Sequence, residues 1–150
     1  MKKGKGIASR ILSMILAIAM VFTLVQFDAF AAQLKSAPTS IDSAESWFWG
    51  GMKLSFSSDA AKEWLAAITD VTVNGTSYEK ESSSYGVSDN TKYYVRDYKG
   101  TTDAGYILIG EEFENPGTCV IKADGYETLT IQLNKDDHTA KITGSSEPEN

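Results

Sequence analysis

The stretch that decides the fold is Val71-Thr72-Val73-Asn74-Gly75-Thr76-Ser77-Tyr78. Asn74 and Gly75 tolerate the two positive φ angles that a type I′ turn requires. Residues that favour β-strands lie on both sides of this pair. The stretch therefore predicts a tight β-hairpin.

Further strands are predicted on both sides of the hairpin. Before it, Met52, Leu54 and Phe56 alternate with polar residues, which is the period-2 pattern of a half-buried strand. After it, turn signals such as Asp124-Gly125 separate four more strand segments: Lys92–Tyr98, Tyr106–Ile109, Thr118–Ala123 and Tyr126–Leu133. About six or seven short strands in this arrangement predict a mainly β fold, either a small sandwich or a partly open barrel.

One short helix is predicted before the hairpin. Ser58 or Asp59 can cap its first turn by accepting a hydrogen bond from a free amide. An apolar stripe follows at spacing i, i+3, i+4 and i+7: Ala61, Trp64, Leu65 and Ile68. We expect a helix from Ala60 to about Ile68, with Trp64 as its largest buried residue.

The first thirty-one residues have the pattern of a targeting segment. Four basic residues precede an apolar run, Ile11–Val25, which Ala29-Phe30-Ala31 follows as a small-x-small cleavage pattern. The apolar run is shorter than the roughly 20 residues that a membrane span needs. We therefore interpret residues 1–31 as a cleaved signal peptide and expect a secreted or cell-surface protein with no membrane span after cleavage.

The remaining chain is predicted to contain one β domain, residues 47–134, between a polar leader segment, 32–46, and a flexible polar tail, 135–150. Without residues 1–31, ten Lys and Arg face nineteen Asp and Glu, so the net charge is near −9. A negative charge of that size repels nucleic acid, because phosphate contacts supply most of the affinity of such binding.

The composition argues against most enzymes and metal sites. Cys119 and His138 are the only Cys and His, which excludes a disulfide framework and a Cys/His zinc cluster within one chain. The acidic residues Glu111, Glu112 and Glu114 are too close in sequence to face each other across a cleft, as glycoside hydrolysis requires. We expect no catalytic activity and no metal.

The order of several sequence blocks indicates a family. Glu63-Trp64-Leu65-x-x-Ile68 precedes the hairpin stretch, and Phe113-x-x-Pro116-Gly117 and Ile121-Lys122-Ala123-Asp124-Gly125-Tyr126 come much later. This order resembles the haemoglobin-interacting domain family, first named from modules of the streptococcal haemoprotein receptor and found in surface proteins of Gram-positive bacteria. The resemblance implies a non-catalytic module that binds haemoglobin or another host or surface protein.

The residues that carry the resemblance are interpreted as the scaffold and not as the binding surface. Apolar helix residues pack inward, Asn-Gly makes one turn, and Gly-Tyr makes another. The scaffold set is Trp64, Leu65, Ile68, Asn74, Gly75, Gly125 and Tyr126.

The binding surface is predicted from aromatic residues that exceed the needs of a small core. Tyr and Trp are enriched at binding hot spots because they bury a large area with few rotatable bonds. The predicted aromatic patch is Trp47, Trp49, Tyr93, Tyr94, Tyr98 and Tyr106. Because the same rings stack on sugars, a carbohydrate or cell-wall binding module remains an alternative, and a structural spacer is a further one.

Two of these residues also have a spacing that is known from haem ligation. Tyr94 and Tyr98 lie four residues apart, so they would share one face of a strand. A Tyr-x-x-x-Tyr strand ligates haem iron in near-iron-transporter domains, and this spacing resembles it. The rest of that family's pattern is not matched here. We therefore expect no haem ligation and no other cofactor.

Overall fold

The structure is a computed structural model that describes residues 33–88 and 90–147. The signal peptide predicted for residues 1–31 lies outside these ranges. Within them, no helix has both the length and the apolar character that crossing a bilayer requires.

Nine strands form one sheet in the described residues. Their hydrogen-bonded order is β1-β2-β6-β5-β4-β3-β7-β8-β9. The strands, in chain order, are β1 Ser43–Ser46, β2 Met52–Phe56, β3 Ile68–Val73, β4 Thr76–Lys80, β5 Lys92–Arg96, β6 Gly105–Ile109, β7 Gly117–Ala123, β8 Thr128–Asn134 and β9 Thr139–Ser146. The first and last strands of this order approach each other, so the sheet is a nearly closed barrel. The predicted mainly β fold is confirmed, although the strand number exceeds six or seven.

The hairpin that the opening stretch predicts joins β3 to β4. Val73 pairs with Thr76, and the two residues between them have φ angles of 50° at Asn74 and 78° at Gly75. Both angles lie in the left-handed region that a type I′ turn uses. The local signal therefore determines this part of the structure.

The helix α1 spans Asp59–Ala66. The Ser58 hydroxyl accepts a hydrogen bond from the Ala61 amide at 3.1 Å, which caps the first turn. The prediction of a helix to Ile68 was wrong at its end, because Ile68 begins β3 and pairs with Ala123. The β-branched residues from Ile68 onward favour the extended chain over another helical turn.

Two segments that were predicted as irregular also contain strands. β1 lies within residues 32–46, the predicted polar leader, and β9 lies within residues 135–150, the predicted flexible tail. Both are strands at the ends of the sheet order, and most of their side chains are exposed. Their sequences are polar for that reason, and their apolar alternation is too short to be recognised.

Strand β6 contributes side chains to two apolar layers, one on each face of the sheet. Every residue of β6 is buried. Ile107 and Ile109 face the main core of the barrel. Tyr106 and Leu108 face the opposite side, where they form a smaller buried cluster with Val87. The outer face of the sheet around β6 therefore has an apolar layer of its own, and the candidate site lies there.

Candidate functional site

Four aromatic residues gather on the outer face of β2, β6 and β5. The ring centroid of Tyr106 lies 5.7 Å from that of Trp47 and 6.2 Å from those of Tyr94 and Tyr98. These distances are typical of favourable aromatic pairs. Tyr106 is buried at the centre, and the other three are half-buried around it. We call these four residues the tyrosine cluster.

Two cations lie over the rings of the tyrosine cluster. The Lys53 ammonium is 5.5 Å from the Trp47 centroid and 5.3 Å from the Tyr106 centroid. The Arg96 guanidinium lies 4.8 Å from the Tyr98 centroid. Such distances allow cation–π attraction. Burial, and then the neighbouring phenols, raise the pKa of Tyr106, so its hydroxyl stays protonated at neutral pH.

A second aromatic group lies next to the cluster and is open to solvent. Phe48, Trp49 and Tyr85 are 83%, 52% and 70% exposed, and they are the large apolar side chains that the described residues leave exposed. The ring centroids are 4.7 Å apart for Phe48 and Trp49, and 5.6 Å apart for Trp49 and Tyr85. We call these three residues the exposed triad.

Two members of the exposed triad lie at the tip of the β1–β2 loop. The Trp47 amide donates a hydrogen bond to the Gly51 carbonyl at 2.8 Å, which closes this loop. Gly51 has a φ angle of 99°, and a Cβ there would lie 3.0 Å from the Ile109 carbonyl oxygen. Only glycine fits this conformation and this approach without strain. The loop that presents Phe48 and Trp49 is therefore fixed against the end of β6.

Tyr85 lies in a 3₁₀ turn, Ser84–Gly86, that hydrogen bonds also fix. The Asn90 side-chain amide donates to the Gly86 carbonyl at 3.0 Å. The Glu111 amide donates to the Ser88 carbonyl at 3.3 Å. Both loops of the exposed triad are thus held at the same end of β6, and the rings are arranged before any partner binds.

The structure brings together most, but not all, of the predicted aromatic patch. Trp47, Tyr94, Tyr98 and Tyr106 form the tyrosine cluster, and Trp49 belongs to the adjacent exposed triad. Tyr93 does not belong to this surface. It is 2% exposed and packs in the main core, because successive residues of a strand point to opposite faces. Burial, and then the charge of Asp70, raise the pKa of Tyr93.

Sequence reasoning missed Phe48 and Tyr85. The available signal for Phe48 was its place in three consecutive aromatic residues, 47–49, directly before two glycines. Connecting segments run over the protein surface, so a run of aromatic residues at a turn is expected to expose some of its rings. Tyr85 gave no comparable signal, because it is a single aromatic residue in a polar, serine-rich segment.

The predicted scaffold residues lie away from this surface. Trp64, Leu65, Ile68 and Tyr126 are buried in the main core. Gly125, in the turn before Tyr126, has a φ angle of 77°. At the hairpin, the Asn74 side chain donates to the Glu114 carbonyl at 2.9 Å and accepts from the Thr118 amide at 2.8 Å. Asn74 therefore has two roles: it forms the turn together with Gly75, and it holds the segment that leads into β7.

In the part of the chain that the structure describes, the remaining reactive groups do not form a second site. His138 Nε2 lies 3.0 Å from Glu111 Oε1. Within residues 33–88 and 90–147, no three His, Cys, Asp or Glu side chains come together as a metal site would require. Cys119 is fully buried, and burial raises the pKa of its thiol to about 12. Such a thiol is inert, since the thiolate is the reactive form.

The fold and the surface define a small β module with a preformed aromatic face. Residues 40–134 match the family described as heme-binding protein Shr-like, Hb-interacting domain. The chain belongs to this family, and the resemblance seen in the sequence is confirmed. The match covers the strands from β1 to β8. No curated protein matches the chain.

Proposed function

We propose that this chain is an exported, non-catalytic module that binds a haemoprotein through the exposed triad and the adjoining tyrosine cluster. Membership of a family described by its interaction with haemoglobin supports a haemoprotein as the partner. The basic, apolar and small-residue pattern of residues 1–31 supports export. The presence of a single His and a single Cys in the sequence supports binding without catalysis.

The exposure of Phe48, Trp49 and Tyr85 is the observation that carries the proposal. Exposed apolar groups that adjoin one another are typical of interaction sites. Trp and Tyr are among the residues that contribute most to binding free energy at interface centres. Because hydrogen bonds already fix both loops, binding loses little conformational entropy.

The arrangement of the rings favours a protein over a glycan. Phe48 and Trp49 meet at an interplanar angle of 87°, and Trp49 and Tyr85 meet at 61°. The three rings therefore form a ridged surface and not a flat platform for stacking a sugar ring. A ridge fits between the side chains of a protein partner. Saturable binding on a glycan array, without binding to haemoglobin, would support the carbohydrate or cell-wall alternative.

The direct test is binding of the chain to immobilised haemoglobin, compared between wild type and Phe48→Ala/Trp49→Ala. We expect the double variant to lose at least about 2 kcal/mol of binding free energy, as hot-spot truncations do. Thr76→Ala/Ser77→Ala is the matched control, because these exposed residues lie on a different hairpin. Its affinity should equal that of wild type. Failure of wild type to bind, or equal binding by the aromatic double variant, contradicts the proposal.

A further inference from the structure

Arg96 is an exposed cation on the outer sheet face whose charge is not neutralised within the described part of the chain. None of the carboxylates in residues 33–88 and 90–147 lies within 4.0 Å of it, whereas Lys53 on the same face pairs with Glu45 at 3.0 Å. The sequence as a whole carries a net charge of −6. Most lysines of the described residues also lack a carboxylate partner, but Arg96 is the only arginine among these residues, and it lies on an aromatic ring.

The position of Arg96 leaves it accessible. It is the last residue of β5, and it faces outward beside Tyr106, its partner in the sheet register. β4 pairs with β5 only at Lys92 and Tyr93, so no strand of the described chain covers β5 on that side near Arg96. The guanidinium can therefore be reached from solvent.

The rings below and beside Arg96 orient it. The guanidinium lies over Tyr98, and Tyr94 lies on the same sheet face. A guanidinium that rests on an aromatic ring still has N–H groups at its edge, and these match the two oxygens of a carboxylate. The stacking also limits the rotamers of a long side chain, which lowers the entropy lost on binding.

We propose that Arg96 is a specificity-determining residue of the binding surface, and that it takes an Asp or Glu carboxylate of a protein partner. This inference rests on the proposed function, since it names a chemical feature of the partner. Trp47 belongs to the tyrosine cluster and directly precedes Phe48 of the exposed triad, so the two parts form one continuous surface. Tyr, Trp and Arg together are the composition of protein interfaces. The positive charge of Arg96 complements an acidic group of the partner.

The experiment is an NMR titration of the ¹⁵N-labelled chain with an acetylated hexaglutamate peptide at low ionic strength. We expect chemical-shift changes at the Arg96 side chain and at the amides of residues 94–98. Arg96→Gln should weaken peptide binding about tenfold, as loss of a charge-assisted hydrogen-bonded pair does. Lys99→Gln is the matched control, because it removes an exposed positive charge three residues away without touching the rings. We expect its affinity to change less than about twofold.

Each other outcome overturns a defined part of the inference. If the signals of residues 94–98 do not shift, the peptide does not bind at Arg96. If Lys99→Gln weakens binding as much as Arg96→Gln does, the attraction is general electrostatic attraction. Either result removes the role of Arg96. If N-acetylneuraminic acid binds in an Arg96-dependent way and the peptide does not, the carboxylate belongs to a sugar and the assignment to a protein is wrong. If haemoglobin binds wild type and Arg96→Gln equally, the proposed function stands and the role of Arg96 falls. If the peptide binds through Arg96 but haemoglobin does not bind, the haemoprotein partner falls instead.

Discussion

The ring of Trp49 lies 5.6 Å from the ring of Tyr85, although the two residues belong to different loops. Trp49 lies between β1 and β2, and Tyr85 lies between β4 and β5. Both loops are held at the end of β6, one through Gly51 and the other through Asn90. The arrangement of the rings in the exposed triad therefore depends on β6, which positions both loops.

If the two rings act as one unit, their contributions to binding should be coupled. We expect Trp49→Ala and Tyr85→Ala each to weaken binding to haemoglobin. In the double variant, the loss should differ from the sum by about 0.5–1.5 kcal/mol, the range found for aromatic pairs in contact. Isothermal titration calorimetry on the four proteins measures this coupling free energy. Strict additivity would show that the rings contact the partner independently.

Gly110, directly after β6, approaches the loop between β4 and β5 so closely that one added methyl group should displace this loop. A Cβ at Gly110 would overlap the backbone carbonyl oxygen of Asn90, so that loop must move in Gly110→Ala. We expect a loss of about 1–3 kcal/mol in the free energy of unfolding and weaker binding to haemoglobin, because Tyr85 shifts away from Trp49. Urea unfolding and calorimetry measure the two effects.

The matched control for this substitution is Gly144→Ala. Gly144 lies in β9, and a Cβ there meets no atom within 4 Å. Stability and affinity should both stay within about 0.5 kcal/mol of wild type, as for most surface substitutions. If Gly110→Ala behaves like Gly144→Ala, the loop position does not depend on this approach.

The parts of the fold that local chemistry determines could be predicted from the sequence. Asn74-Gly75 gave the hairpin because few other residue pairs adopt two positive φ angles. β9 could not be predicted in this way. Its register against β8 is set by backbone hydrogen bonds across the sheet, and its polar side chains carry no periodic signal.

The candidate site was predicted only in part, for a similar reason. The aromatic residues were recognised, but the alternation in β5 does not show which face is the outer one. Tyr94 and Tyr93 are neighbours in the chain, yet only Tyr94 lies in the tyrosine cluster. The pairing of Trp49 with Tyr85 depends on two loops that meet only in the folded chain.

Asn74 has two separable roles, which two substitutions can distinguish. Asn74→Asp keeps the acceptor for the Thr118 amide and tolerates a positive φ angle, but loses the donation to the Glu114 carbonyl. We expect it to lower the free energy of unfolding by about 1 kcal/mol, the net value of one hydrogen bond. Asn74→Ala loses both side-chain bonds and places a non-polar residue at a left-handed φ, so we expect about 2–4 kcal/mol. Urea unfolding of both variants tests the order, and an equal loss contradicts it.

Ionisation of the Tyr78 hydroxyl should destabilise the folded chain at alkaline pH. Tyr78 is 4% exposed, and its hydroxyl donates a hydrogen bond to the Glu112 carbonyl at 3.1 Å. Burial, and then electrostatic interaction with Cys119 and Glu112, raise the pKa of Tyr78 from 10.0 to about 12. The folded state therefore favours the protonated phenol. Its contribution to stability is fully present below pH 10 and is lost as the pH rises from 10 to about 12.

Tyr78→Phe tests this assignment because phenylalanine cannot ionise. At pH 8 we expect the variant to be less stable by about 1 kcal/mol, since it lacks the bond to the Glu112 carbonyl. Between pH 10 and 12, the wild type should lose on the order of 2 kcal/mol more than the variant, so that the difference between the two shrinks or reverses. Unfolding in urea at pH 8 to 12, followed by circular dichroism, gives both curves. Parallel curves above pH 10 would mean that another buried group, such as the Cys119 thiol, causes the alkaline loss.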